Sequence, residues 1–372
     1  MARHKGKSRR RLKGWDQRVG DDFIEDQNIR RQRFGSRQVK LPPKSQEESL
    51  DDLPRTQALV VGLFPGGVAV RVNDDVLLCG IAGTFRPPEG SSALAVGDMV
   101  TVGLTPEPDA ASATDKDRAD GIIIERQPRR TALARPEPRS GKRGDRYQSE
   151  TFEKVIAANM DVLLIVAASR QPPLRHGLID RFLIIAERGG LESLLVINKI
   201  DIARPDQQIV DEFRELGLEV LLVSAQTGEG LDELRQRLAG RMTVLAGASG
   251  VGKTTITNAL IPGTDAPTQA IRMRDQRGRH TTTSSDIYEL PRGGILIDTP
   301  GVRELGIHLD LRELQWYFPE FDELSRSCRF NDCTHTHEPG CAIQQAVEEG
   351  ILPPRRYQSY LRIRETIEER FA

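Results

Sequence analysis

The sequence predicts a multidomain chain: a small N-terminal β-barrel, a central α/β domain on a mostly parallel sheet, and a C-terminal α-helical module built around a metal. Three observations predict it. Five short apolar runs follow one another from Thr56, each bounded by Gly, Pro, Asp or Asn. From Val155, strand-like and helix-like segments alternate. Near the end, three of the four cysteines, Cys328, Cys333 and Cys341, lie close together beside His335 and His337.

A chain of 372 residues has room for two or three domains, and 38% hydrophobic with 29% charged residues suits a globular protein. No apolar run is long enough to span a bilayer, so no membrane partner is expected. The opening stretch, "MARHKGKSRRRLKGW", has no apolar segment after its bases and does not read as a secretory signal. The expected location is the cytoplasm, where cysteines do not serve as structural disulfides. Nothing points to an oligomer, and a monomer is the expectation.

Residues 1–55 form an arm. Arg3, Lys5, Lys7, Arg9, Arg10, Arg11 and Lys13 crowd its start without an acid, while the whole chain has a net charge of −1. A basic arm on an acidic body points to a polyanion such as RNA. Large apolar residues recur there at no period, so the arm is expected to be disordered on its own.

Residues 56–135 hold the five runs: "TQALVVGLF", "GVAVRV", "DVLLCGIAG", "GDMVTVGL" and "ADGIIIERQ". Five strands with turn residues between them suggest an OB-fold, a barrel that often binds nucleic acid. Phe64 and Phe85 are its few aromatics, which favours backbone or shape contact over base stacking. Cys79, alone in an apolar run, reads as a core residue. Residues 136–154, rich in Pro, Gly and charge, read as a linker.

Residues 155–310 alternate. "MDVLLIVAAS" is a strand, "GLIDRFLIIAERGG" a helix, "ESLLVINKID" a strand, "DQQIVDEFRELG" a helix and "LEVLLVSA" a strand. "GLDELRQRLAG" is a helix, "MTVLAGASG" a strand running into a glycine-rich loop, and "KTTITNALI" a helix. "SDIYELPRGGILIDTPG" reads as two strands and a turn. Such alternation implies a parallel sheet with helices on both faces. Residues 311–372 are helical, with "CRFNDCTHTHEPGC" inserted.

"GASGVGKT" has the form G-x-x-x-x-G-K-[ST], the phosphate-binding P-loop, in the strand–loop–helix context that the motif needs. Its glycines, Gly247, Gly250 and Gly252, let the backbone curl so that the N–H groups of Gly247, Ala248, Ser249, Gly250, Val251 and Gly252 face phosphate oxygens. The helix beginning at Lys253, Thr254 and Thr255 adds its positive end. Lys253 would reach the β- and γ-phosphates, and Thr254 would offer its hydroxyl to Mg²⁺.

"NKID" supplies base selectivity. Asp201 can accept two hydrogen bonds from the N1–H and amine of guanine, a donor pair that adenine lacks. Asn198 can bond the base or brace the loops, and the Lys199 stem can lie on the ring. Ser224 and Ala225, at the end of the next strand, could bond the guanine oxygen. "DTPG" ends another strand: Asp298 would hold Mg²⁺ directly or through water, and the Gly301 N–H would sense the γ-phosphate. In "RGRHTTT", Thr281 or Thr282 would complete the Mg²⁺ shell. Residues that read the base thus precede those that hold phosphate, the reverse of the usual GTPase order. The chain reads as a circular permutation.

Val302 follows Gly301, where a Ras-like GTPase has a glutamine to orient water. Valine cannot do so. His280 is the candidate for positioning water, because a neutral imidazole accepts or relays a proton near neutral pH. In the C-terminal module Cys328, Cys333, Cys341 and a histidine, His335 or His337, suit one tetrahedral structural Zn²⁺.

Taken together, "NKID", "SA", "GASGVGKTT", "GRHTTT", "DTPGVRE" and "CRFNDCTHTHEPGCA" resemble the ribosome-small-subunit-dependent GTPases, the RsgA family. The resemblance covers roughly residues 56–372. It implies an OB-fold, a circularly permuted GTPase domain and a zinc-binding helical domain. It also implies binding to the small ribosomal subunit and its rRNA in late assembly, with subunit-stimulated hydrolysis of GTP to GDP coupled to release. It favours His335 over His337 as the fourth zinc ligand, and it too points to His280. The arm before residue 56 is longer than the family leads one to expect, and "GKT" stands where the family has "GKS"; either hydroxyl binds Mg²⁺. A GTP-gated RNA-binding module with incidental hydrolysis is the alternative, and an ATPase with a chance "NKID" a third reading. Because "DTPGVREL" runs straight into the zinc module, GTP state is expected to alter the spacing of the modules at either end.

Overall fold

The computed structural model of the chain describes residues 50, 53–64, 67–87, 92–105, 119–137, 152–261, 286–298, 307 and 309–371. Nearly all of the basic arm, most of the 136–154 linker, and His280, Thr281, Thr282, Gly301 and Val302 lie outside the described residues.

The five N-terminal runs form β1 (Arg55–Phe64), β2 (Gly67–Val72), β3 (Asp75–Ile81), β4 (Met99–Leu104) and β5 (Gly121–Arg126). They close into a barrel in the order β1-β2-β3-β5-β4, with β4 pairing back on β1. All pairings are antiparallel except β3 with β5, where Cys79 faces Gly121 across a parallel ladder. Alternation along the strands places Val60, Val70, Cys79, Val100 and Ile123 in one apolar core. This is the OB-type barrel, and Cys79 is in its interior, with its thiol pushed up to about 12 by burial and then by Asp120.

Two further strands straddle the two ends of the stretch that the sequence reads as linker. β6 (Ala132–Glu137) and β7 (Phe152–Ala158) pair antiparallel as a two-stranded sheet. Pro136 is tolerated because a two-stranded ribbon is all edge. This ribbon fastens the barrel to the central sheet. The Ala158 N–H donates to Val96 O at 2.8 Å and Asn159 Nδ2 to Gly97 O at 2.9 Å. Asp98, fully buried, accepts two bonds from the Arg129 fork, Nε at 2.7 Å and Nη2 at 2.8 Å.

The central sheet has six strands: β8 (Val162–Ala168), β9 (Glu192–Asn198), β10 (Glu219–Leu222), β11 (Met242–Ala246), β12 (Asp286–Glu289) and β13 (Ile295–Asp298). Their order is β10-β9-β8-β11-β13-β12, parallel except for β12 on the edge. Every residue of β8, "VLLIVAA", is buried, as a strand covered on both faces requires. α1 (His176–Gly189) and α2 (Gln207–Glu215) cover one face, through Phe182, Ile185, Val210 and Phe213. α3 (Leu231–Leu238) and α4 (Lys253–Leu260) cover the other, through Leu234, Leu238, Ile256 and Leu260.

The chain then makes two 3₁₀ turns (Leu314–Tyr317 and Pro319–Phe321) and the helices α5 (Asp322–Ser325), α6 (Ala342–Glu348) and α7 (Pro354–Phe371). Phe318, Phe321 and Tyr360 pack ring on ring with centroids 5.1 to 5.4 Å apart. Arg356 of α7 is buried, bonds Asp180 of α1 and Glu320, and lies over the Phe318 ring at 4.7 Å. This pair of ionic contacts ties the module to the sheet's α1 face.

Candidate nucleotide site and metal centre

In chain order the sheet grows from β8 through β9 to β10, then returns to place β11 on the other side of β8. The carboxyl ends of β8 and β11 therefore flank a topological switch point, the place where open α/β sheets bind ligands. The P-loop leaves β11 at this point and closes onto α4. Two of its glycines are required by contact. Gly247 has φ +143°, and a Cβ there would meet Val166 O at 2.3 Å. Gly252 has φ +98°, and a Cβ there would meet Asn198 Nδ2 at 2.3 Å.

Lys253 is buried, and its ammonium donates to Gly247 O at 2.8 Å and Ala248 O at 2.7 Å. The loop's own carbonyls thus hold the charge at the mouth of the loop. Thr254 and Thr255, next along α4, are exposed, as are Ser249 and Gly250; Val251 is buried.

Asn198 ends β9 and braces the site rather than standing free. Its Nδ2 donates to Val251 O at 3.0 Å, and its Oδ1 accepts the Ala225 N–H at 3.1 Å. One amide therefore spans the P-loop and the loop after β10. Lys199 follows with φ +67°, a left-handed conformation uncommon outside glycine and asparagine. Its ammonium bonds Gly250 O at 2.6 Å and Gln171 O, so its stem crosses the cleft. Ser224 donates its hydroxyl to Asp201 Oδ1 at 2.6 Å and accepts the Thr227 N–H at 3.1 Å. The exposed Asp201 carboxylate is oriented by that bond, with its second oxygen left for a base. Asp298 ends β13, one strand beyond the P-loop strand, and is half-buried.

The structure therefore brings Asn198, Lys199, Asp201, Ser224, Ala225, the P-loop and Asp298 to one end of one sheet. Sequence reasoning passed over Ser169 and Gln171, in the loop after β8. Ser169 donates its N–H to Asn198 O at 2.9 Å and its hydroxyl to Lys199 O at 2.9 Å. No motif marks them; a loop at the carboxyl end of the strand beside the P-loop strand was the available signal.

In the C-terminal module, one ligand atom from each of Cys328, Cys333, His335 and Cys341 lies within 4.8 Å of the others. His335 Nδ1 is 3.6 Å from Cys328 Sγ and 3.5 Å from Cys341 Sγ. A tetrahedral ion with Zn–S about 2.3 Å and Zn–N about 2.0 Å sets sulfur and nitrogen about 3.5 Å apart, so the donor set fits zinc in size and chemistry. His337 is outside the cluster and exposed; its Nδ1 is 2.8 Å from Thr336 Oγ1.

The surroundings hold the ligands in place. Gln315 Oε1 accepts from His335 Nε2 at 3.0 Å, which leaves Nδ1 for the metal. Tyr357 and Tyr360 donate their hydroxyls to the carbonyls of His335 (2.7 Å) and Thr334 (3.0 Å). Glu338 gathers the N–H groups of Thr334, Thr336 and His337 at 2.9 to 3.2 Å. Burial works to raise its carboxyl, but these bonds and the Thr334 hydroxyl hold it far below the usual carboxylate range. Burial pushes the Cys333 thiol up to about 12 and raises Cys341 as well. Thiols so placed become thiolates only with a cation among them.

The sequence profile of the RsgA GTPase family matches residues 126–308. The Small ribosomal subunit biogenesis GTPase RsgA of Chlorobaculum tepidum is 39% identical over 78% of this chain and 90% of its own length. Its namesake from Gemmatimonas aurantiaca is 40% identical over 75% of this chain and 86% of its own length. Among solved structures, YjeQ from Thermotoga maritima superposes with a TM-score of 0.60 at 29% identity, covering 84% of this chain and 99% of that one. YloQ, described as a circularly permuted GTPase, does so at 0.59 and 26% identity, covering 85% and 96%. A base-type loop ahead of the P-loop on a switch-point sheet, a barrel before it and a Cys₃His module after it thus have one common explanation: the chain belongs to the RsgA family of GTPases.

Proposed function

We propose that this GTPase acts on the small ribosomal subunit in the late stages of its assembly, in the cytoplasm and as a monomer, with hydrolysis stimulated by the subunit and coupled to release. What carries this reading is identity with proteins named for small-subunit biogenesis across 78% of the chain. In it, Asp201 reads guanine, Ser224 orients Asp201, and the Ala225 N–H, already engaged by Asn198, lies beside the base oxygen. Asn198 acts as the brace between loops. The N–H groups from Gly247 to Gly252, with Lys253, Thr254 and Thr255, hold the phosphates, and Thr254 and Asp298 hold Mg²⁺. The Gly301 N–H senses the γ-phosphate, Thr281 or Thr282 completes the Mg²⁺ shell, and His280 positions water. The Cys₃His cluster holds one Zn²⁺ as a closed structural site. The division of the chain after residues 55, 135, 154 and 310 belongs to the same reading.

The deciding experiment is GTP turnover by the full chain, alone, with purified small subunits, and with large subunits as control. Stimulation by small subunits alone is expected. Equal rates in all three mixtures would overturn the assembly reading and leave a GTPase with another partner. His280→Ala is expected to abolish the stimulation while GTP binding persists.

A further inference from the structure

Outside the nucleotide cleft and the cysteine cluster, the described residues form a further concavity. It is a groove of about 560 Å³ between the start of α1 and the exposed side of α7. Arg175, Arg181, Arg355 and Arg362 line it, with His176 and Ser359, and no carboxylate is among its lining residues. Arg175 and Arg362 are exposed, and neither has an ion pair among the described residues. Arg355 bonds Glu212 through Nε and Nη2 and lies over Phe213 at 5.2 Å, which leaves the Nη1 edge of its fork unused.

Among the residues lining this groove, His176 Nε2, Arg355 Nη1 and Ser359 Oγ are buried atoms that make no hydrogen bond. Ser359 is only 4% exposed, so its hydroxyl forgoes water without gaining a protein partner. Such a group costs about 1–3 kcal/mol unless a ligand or water meets it. It lies beside the first turn of α1, where a Cβ on Gly177 would be 3.6 Å from Ser359 Oγ. That turn is an open helix start. Its N-cap, Arg175, makes no side-chain cap bond, and no acid occupies the first turn of this 14-residue helix. Positive helix end, unpaired arginines and orphaned donors all call for an anion with several acceptor oxygens.

We propose that this groove binds the phosphodiester backbone of RNA, with Ser359, Arg355 and the start of α1 on one phosphate and Arg175 and Arg362 on the phosphates to either side of it. RNA is favoured over a small phosphorylated molecule by shape and charge. The groove is open, and its two exposed arginines come from different elements, the N-cap of α1 and α7. It rests on the ribosomal reading above and adds a surface to it. It also joins RNA to the nucleotide site. The segment before Arg175 carries Gln171, whose carbonyl is gripped by Lys199, and Pro172, which lies against Gly250. A phosphate drawn to Arg175 therefore acts on the same loop that borders the P-loop.

The test uses the full chain carrying Arg175→Gln with Arg362→Gln, both exposed substitutions, and the Lys-for-Arg pair at the same positions. Unchanged melting temperatures check folding. Binding to purified small subunits and to a fluorescein-labelled mixed-sequence RNA hairpin is titrated from 50 to 300 mM KCl. Loss of two phosphate contacts should lower the slope of log affinity against log salt by about 1.5 and weaken binding about tenfold at physiological salt. The lysine pair should recover most of both. If wild-type protein binds the subunits and the glutamine pair matches it in affinity and slope, the groove proposal is overturned while the ribosomal reading stands. If wild-type protein ignores subunits, that reading falls, and the hairpin decides the groove: a weaker, less salt-sensitive glutamine pair upholds it, and equal binding refutes it. Binding of inorganic phosphate at millimolar concentration, with no difference between proteins on either RNA probe, also refutes it.

Discussion

The metal module and the nucleotide end of the sheet are built on opposite plans. In the module, all four ligating side chains come from fourteen consecutive residues, and three of them are buried. Gln315, Tyr357, Tyr360 and Glu338 bond the same short loop. At the nucleotide end, the candidate residues run from Asn198 to Asp298 and leave four different strands. Two amide bonds from Asn198 and two from the Lys199 ammonium hold the loops to one another. The module is local, and its four donor side chains are gathered closely enough to hold one metal ion. The cleft is distributed and depends on the sheet, so its loops are free to respond to a ligand without endangering the fold.

The largest expected effect follows from the module's plan. Cys341→Ser, or chelation at neutral pH, should remove zinc and with it the folding energy the ion supplies, about 10–16 kcal/mol for structural sites. We expect one zinc per chain in wild-type protein, less than a tenth in Cys341→Ser, and loss of near-ultraviolet circular dichroism from the aromatic cluster. GTP binding should persist, because the central sheet has its own core on the α3–α4 face. His337→Ala should keep full zinc. Loss of GTP binding together with zinc would break the comparison, by showing the two regions to be one cooperative unit.

Their junction is the next place to press. Arg356 is 4% exposed, between Asp180 and Glu320; burial works to lower its pKa, but its bonds to the two carboxylates raise it. Arg356→Ala would leave two carboxylates facing an apolar interior, at a cost of about 3–5 kcal/mol. A separate, earlier melting transition for the module is the expected readout. Arg356→Met with Asp180→Leu and Glu320→Gln removes the charges together and should recover much of the loss.

At the cleft the effect should be on selectivity rather than stability. Asp201→Asn replaces a double acceptor with an amide, and guanine then meets a donor where it needs an acceptor. GTP affinity should fall at least about a hundredfold, with xanthosine triphosphate gained in its place. Melting should change little, since Asp201 is exposed. Unchanged preference between the two nucleotides would place the base elsewhere.

Both plans were legible in the sequence to different depths. Strands of the barrel announced themselves because turn residues bound each apolar run, and β8 because it is apolar throughout. The P-loop and the three clustered cysteines are short-range patterns that spacing displayed, while the choice between His335 and His337 came from the resemblance. Long-range supports left no such trace. Gln315 lies twenty residues before His335, and Arg356 pairs with an aspartate 176 positions away. Asn198 was readable as base ligand or brace, and its two bonds, to Val251 O and from the Ala225 N–H, favour the brace. β6 and β7 were hidden by the Pro, Gly and charge around them, since a two-stranded ribbon needs no long apolar run.

The smallest effect concerns His176, where α1 meets α7. Burial lowers its pKa from 6.5, the Arg355 charge lowers it further, and Asp180 and Glu212 pull it back in part. Its ring stacks on Phe213 at 5.8 Å, and burial between the helices disfavours the charged form. Below 6.5 the unfolded chain therefore binds more protons at this site than the folded one does. Its contribution is fully present above 6.5 and is lost as pH falls through that window. Measured as a difference, wild-type protein should lose more melting temperature between pH 7.5 and 5.5 than His176→Gln does. A phosphate in the adjoining groove would favour the charged ring, so RNA should shrink that difference. A difference that RNA leaves intact would separate the histidine from the groove; one of opposite sign would mean that Asp180 and Glu212, not burial, govern this corner of the junction.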